Sequence, residues 1–168
     1  EAQRPPAVDV FKIDIDSFDC DVIPLVLRAY RPAVVIAEVN VYFPPPLKMR
    51  LLPSPLGFNN EERGNVYECS AQHMDDEVMR PLGYSLLQMD WQNVMYARDE
   101  VAAAIGMGGG VDVQAAYHQG YAAQPRRLAH FPWGLPLEHL LHCADYGGRA
   151  AAAIEWARAS EHRQREGV

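Results

Sequence analysis

Val8 to Val22 reads VDVFKIDIDSFDCDV and Ala33 to Asn40 reads AVVIAEVN. Each is an apolar run rich in valine and isoleucine that ends in acidic or amide residues, as a buried parallel strand does where it opens into a ligand crevice. Residues 8 to 15 read as a strand and residues 16 to 21 as the acidic turn after it. A short helix follows over 22 to 30, with Asp19 or Asp21 placed to cap its free amides and Pro24 tolerated in its first turn. Arg31 and Pro32 break that helix and launch a second strand over 33 to 39. The two strands are close in sequence with a helix between them, so the spacing predicts a right-handed crossover with parallel strands.

Outward from this unit the chain changes character. Residues 42 to 65 carry Pro44, Pro45, Pro46, Pro53, Pro55, Gly57 and Gly64. These remove backbone donors or loosen the chain, so a long irregular excursion is expected, placed to fold over the crevice. Ser70 to Leu82 reads as one helix capped by Ser70, with Met74, Val78 and Leu82 on one face and Asp75, Asp76 and Glu77 on the other. Gly83 stops it. Tyr84 to Met89 and Val94 to Ala97 read as an antiparallel hairpin closed by residues 90 to 93. The segment VAAAIGMGGG, Val101 to Gly110, lacks the lysine of a phosphate-binding loop and reads as a flexible connection. Helices are expected over Val111 to Ala122 and, divided near Gly147 and Gly148, over Leu135 to Arg165.

The 168 residues are 49% hydrophobic and 22% charged, which suits one folded domain with a substantial core. The net charge of −7 leaves no basic face obvious, so nucleic acid is not an expected partner. Every long apolar stretch is interrupted before the roughly 18 to 20 residues that span a bilayer, so a soluble or peripheral protein is expected. The three cysteines, Cys20, Cys69 and Cys143, are odd in number and widely spaced. They suggest reduced structural thiols and a reducing compartment, not a disulfide framework or a zinc module.

The string Lys12-Ile13-Asp14-Ile15-Asp16-Ser17-Phe18-Asp19 resembles the KIDVEGxE signature at the fourth strand of FkbM-type methyltransferases, a branch of the S-adenosylmethionine-dependent Rossmann-like enzymes. RPAVVIAEVN is similar to the fifth strand of that family. GYSLLQMD and NVMYARDE resemble its sixth and seventh strands, whose hairpin inserts the last strand antiparallel. The likeness covers roughly residues 8 to 100. Ser17 stands where the family has Gly, and Asp16 and Asp19 where it has Glu. The resemblance places the family's glycine-rich first strand, and the acidic residue that grips the ribose, upstream of Glu1. It therefore implies an α/β fold: a partial Rossmann-like methyltransferase sheet, its second half, over residues 1 to 100. A glycine-rich connection and C-terminal helices would fill 101 to 168.

Residues two apart on a strand share a face, so Asp14 with Asp16 and Glu38 with Asn40 can meet at the carboxyl ends of neighbouring parallel strands. Three carboxylates and an amide oxygen suit Mg²⁺ or Ca²⁺, and some methyltransferases that resemble this fold hold a divalent cation there to orient a substrate hydroxylate. The same aspartates form a DxD pattern of the kind that holds a sugar nucleotide diphosphate. They also read simply as caps and solvated side chains. His139, His142 and Cys143 have a spacing that suits one helical face and zinc, with no fourth ligand evident. Two functions are expected from these features. One is a degenerate methyltransferase-like module with no cofactor site of its own, acting as an accessory subunit whose open sheet edge is covered by another protein subunit. The other is the C-terminal part of an active O-methyltransferase that uses S-adenosylmethionine and a divalent cation.

Overall fold

The computed structural model describes residues 7–52 and 67–130. The expected helix from Leu135, with His139, His142 and Cys143, lies outside them, as do residues 53–66 of the proline-rich excursion.

The first two strands form as the apolar runs dictate. β1 (Val10–Ile13) pairs in parallel with β2 (Val34–Glu38), Val10 opposite Val34 and Ile13 opposite Ala37. Between them α1 (Asp19–Ala29) turns Cys20, Ile23 and Leu27 into the core. The helix starts earlier than the sequence suggests. Phe18 stands at the cap position without a side-chain cap bond, and Asp19 and Asp21 sit in the first turn, where their charge favours the helix dipole. The Asp19 carboxylate is spent elsewhere, accepting the Ile15 N–H at 3.3 Å.

Ser70 caps the next helical segment as its hydroxyl predicts, accepting the His73 N–H. The segment is not the single α-helix expected over Ser70 to Leu82. An α-turn, α2 (Ala71–His73), passes into a π-helical stretch (Met74–Met79) and a 3₁₀ turn (Arg80–Leu82). Wider π winding rotates the chain, and Asp75, expected on the outer face, is buried. Gly83, at φ 79°, ends the segment in the left-handed conformation that glycine adopts freely.

β3 (Tyr84–Asp90) and β4 (Asn93–Arg98) make the expected hairpin, with a bulge between Leu86 and Gln88. β4 inserts antiparallel beside β2, so the sheet order is β1-β2-β4-β3. The fold is thus α/β with a mixed sheet.

The two ends of the glycine-rich segment differ from the expected flexible connection. Its first half belongs to α3 (Asp99–Ala104), and its end is docked on β3 through the Val111 N–H, which donates to Leu86 O at 2.8 Å. Gly110, at φ 71°, lies so close that an added Cβ would stand 2.7 Å from that carbonyl oxygen. A small residue here permits close packing; it does not loosen a connection. Asp112 caps α4 (Val113–Tyr117), which continues through a π turn (His118–Ala122), and α5 (Arg127–His130) comes next. Val113, Ala116, Tyr117 and Tyr121 join the core built on the sheet, so residues beyond 100 pack on the same body. Among the described residues no helix is long and apolar enough to cross a membrane.

The expectation of reduced thiols is also corrected. Cys20 and Cys69 form a disulfide, their Cα atoms 6.3 Å apart. It does not fit a reducing compartment. Spacing along the chain hid the pair, because the excursion after Asn40 brings residue 69 back over the start of α1.

A candidate metal centre at the carboxyl ends of the parallel strands

One step past the Ile13–Ala37 pair, the parallel register runs out at Asp14 and Glu38. Asp16 comes after it in the left-handed region at φ 55°, a conformation that costs a non-glycine residue energy and recurs at functional sites. The turn is tied by the Ser17 hydroxyl, which donates to Ile15 O at 3.1 Å. Asp14, Asp16 and Glu38 each offer a carboxylate oxygen, and the three oxygens lie within 4.8 Å of one another. Asp14 and Asp16 are exposed, whereas Glu38 is buried. The trio therefore has one side in solvent and a floor in the protein.

Asn40, the fourth residue the sequence put forward, serves the backbone. Its amide donates to Tyr67 O at 3.1 Å and its oxygen accepts the Tyr42 N–H at 2.9 Å. It also bridges to Ser70, and its own N–H donates to Cys69 O. These bonds hold the returning segment, residues 67 to 70, against the end of β2.

That segment supplies the residue the sequence reading missed. Glu68, with φ 52°, is 1% exposed. Its N–H donates to Ser17 O and its carbonyl accepts from Leu51 N–H, both near 3 Å. Neither carboxylate oxygen receives a hydrogen bond from a donor among the described residues. Its carboxyl faces those of Glu38 and Asp19, groups that can bond to it only by sharing a proton. Asp19 is fully buried too, and one of its carboxylate oxygens has no donor.

The electrostatics arise from this crowding. Burial, then the nearby Asp14 carboxylate, pushes the Glu38 carboxyl far above the usual range. Burial, then Glu38 and Asp19, does the same to Glu68. Asp19 is also raised by burial, although contact with Glu68 and the Ile15 amide works against the shift. Asp14 moves the other way because Lys12, 2.5 Å away, bonds to it, with Glu38 as the second cause. Five acidic side chains thus meet at one strand end, and the one ammonium that pairs with them among the described residues, Lys12, lies on the exposed side. A hard cation with oxygen ligands answers this shortage of positive charge, since carboxylates at such separations suit Mg²⁺ or Ca²⁺. Protons shared between the buried acids answer it in the cation's absence.

The disulfide, which spacing along the chain did not reveal, accounts for the missing residue. Cys20 follows Asp19 and Cys69 follows Glu68, so the disulfide that joins the cysteines also brings the two acids together. The chain matches no family model, no curated protein and no solved structure.

Proposed function

We propose that this chain is a methyltransferase-like α/β module that binds a hard divalent cation at Asp14, Asp16 and Glu38 and works as an accessory subunit of a larger protein assembly, with no S-adenosylmethionine site of its own. The observation that carries the cation is the meeting of three carboxylate oxygens within 4.8 Å over the buried, donor-free Glu68. Support for the ancestry is the strand order β1-β2-β4-β3, in which the last strand of the hairpin is inserted antiparallel as the resemblance expects. Support for a partner comes from β1, a strand paired on one side only among the described residues, with Val10 exposed upon it and Ile15 exposed just beyond.

A second reading has a specific observation in its favour. Crevices of parallel sheets open at the carboxyl ends of the strands, and the carboxylates stand there, where a cation would orient a substrate hydroxyl for methylation. In that case the chain is the C-terminal part of an O-methyltransferase.

Calorimetric titrations distinguish the two. Ca²⁺, Mg²⁺ or Mn²⁺ should bind the chain and should fail to bind an Asp14→Asn, Glu38→Gln double variant; silence with all three ions would end the cation reading. S-adenosylmethionine should give no heat with this chain. Saturable binding of it would overturn the accessory reading in favour of the enzyme.

A further inference from the structure

The acids and cysteines at the site alternate in a way that ties their fates together. Asp19 and Cys20 begin α1, Glu68 and Cys69 lie on the returning segment, and the disulfide joins the two elements across a separation of 49 residues. It thereby holds two buried carboxyls against each other and against Glu38. Ionised, these acids would repel strongly in so poorly solvated a place, and neutral they hold protons that folding must take up, so the arrangement costs free energy in either form. The contacts that hold the segment in place include Glu68 N–H to Ser17 O, Leu51 N–H to Glu68 O, Asn40 N–H to Cys69 O, the Asn40 amide to Tyr67 O and Ser70 N–H to Met49 O, together with the covalent link.

We propose that the Cys20–Cys69 disulfide and a divalent cation at the carboxylate cluster are thermodynamically coupled, each favouring the other, so that the redox state of this pair sets the affinity of the site. The proposal rests on the cation reading above. A closed disulfide fixes Glu68 beneath Glu38 before the ion arrives, so no ordering of residues 67 to 70 is left for binding to supply. A bound ion, in turn, offsets the cost of crowding these acids, which opening would relieve. Coupling of this kind is reciprocal: the factor by which oxidation strengthens cation binding is the factor by which the cation disfavours reduction.

The chemistry is ordinary exchange with a dithiol. One of its thiolates attacks a cysteine sulfur and breaks the S–S bond to give a mixed disulfide. Its second thiol then displaces the protein sulfur, leaving a cyclic disulfide. Two electrons and two protons have passed to Cys20 and Cys69. Both cysteines are buried, so exchange proceeds through local opening of the segment and is read at equilibrium.

The test titrates Ca²⁺ into the full chain, oxidised and after reduction by dithiothreitol, and measures the dithiothreitol needed for half-reduction with and without saturating Ca²⁺. Affinity should fall about tenfold on reduction, and Ca²⁺ should raise the dithiothreitol requirement by the same factor. A Cys20→Ser, Cys69→Ser double variant should bind like the reduced chain. The Glu68→Gln variant should keep its disulfide yet show a smaller difference between the oxidised and reduced forms, a response that a plain structural staple would not give. Equal Ca²⁺ affinity in both redox forms overturns the coupling alone. No Ca²⁺ binding in either form overturns the cation reading and the coupling with it.

Discussion

Asp75 and Glu68 are both carboxylates at 1% exposure and lie seven residues apart, yet the protein treats them in opposite ways. Asp75 is swung inward by the π-helical stretch and meets the Arg80 Nε at 2.6 Å, an ion pair whose arginine stays half in solvent. Burial raises the Asp75 carboxyl, and Arg80 works to lower it. Glu68 meets no cation among the described residues. It faces Glu38 and Asp19, and every charged group near it pushes its carboxyl further up. A buried acid with its own arginine is explained by the fold. A buried acid held among others of its kind leaves a charge to be balanced from outside, by protons or by an ion.

The contrast breaks most visibly at Arg80. Truncation by Arg80→Ala leaves Asp75 buried without its partner, so chemical denaturation should show a loss of about 3 kcal/mol. An Asp75→Asn, Arg80→Ala double variant should recover part of that loss; full stability in the single variant would mean that Asp75 needs no partner.

Next in size is the response to ions. Because a ligand that binds only the folded state stabilises it by mass action, Ca²⁺ at a hundred times its dissociation constant should add about 2.7 kcal/mol. Thermal melting should therefore shift upward with Ca²⁺ in the native chain and stay flat in Asp14→Asn. An equal shift in both proteins would move the ion elsewhere.

The pH response sharpens the same point. The Glu38 carboxyl is pushed up to about 8, chiefly by burial, whereas an unfolded glutamate titrates near 4.5. Between these values the folded state holds a proton that the unfolded chain releases. The stabilisation is complete below about 4.5 and is lost as pH rises through about 8. With a chelator present, the melting temperature should fall from about pH 5 to about pH 8, and Ca²⁺ should flatten the decline. A melting temperature that rises over this range without ions would show that Glu38 and Glu68 are not crowded as described.

The smallest effect is expected from Glu68→Gln. An amide of the same shape needs no proton to be neutral, so folding no longer has to take up the proton that burial forces onto Glu68, and in the absence of ions the variant should be more stable at neutral pH by about 1 kcal/mol. Urea denaturation in a chelator would read this, and a loss of stability would show that the Glu68 carboxylate is satisfied by a contact of its own.

Much of this was legible before the fold. The apolar runs at Val10–Ile13 and Val34–Glu38, the breaker Arg31-Pro32 and the turn residues after Met89 announced strands of the right kind and order. So were three of the acids, although the alternation expected of a strand is not what joins them: β1 ends at Ile13, and the turn that follows, with Asp16 at φ 55°, brings Asp16 to Asp14 and Glu38. One kind of residue misled. Glycines at 106 to 110 read as looseness, because sequence does not show what a glycine lies against, and Gly110 lies against β3. The backbone role of Asn40, whose amide bonds Tyr67 O and Tyr42 N–H, was not legible in the sequence, because an amide near a strand end serves a metal or a backbone equally well on paper.

By itself, then, the sequence determined the parallel pair and the acidity of its rim, since both depend on neighbours in the chain: period, breakers and the residues at strand ends. Tertiary structure alone decided that Glu68 and Cys69 return to Asp19 and Cys20. That meeting joins residues 49 positions apart through a disulfide, backbone bonds and burial, and such long-range closure leaves no local pattern to read.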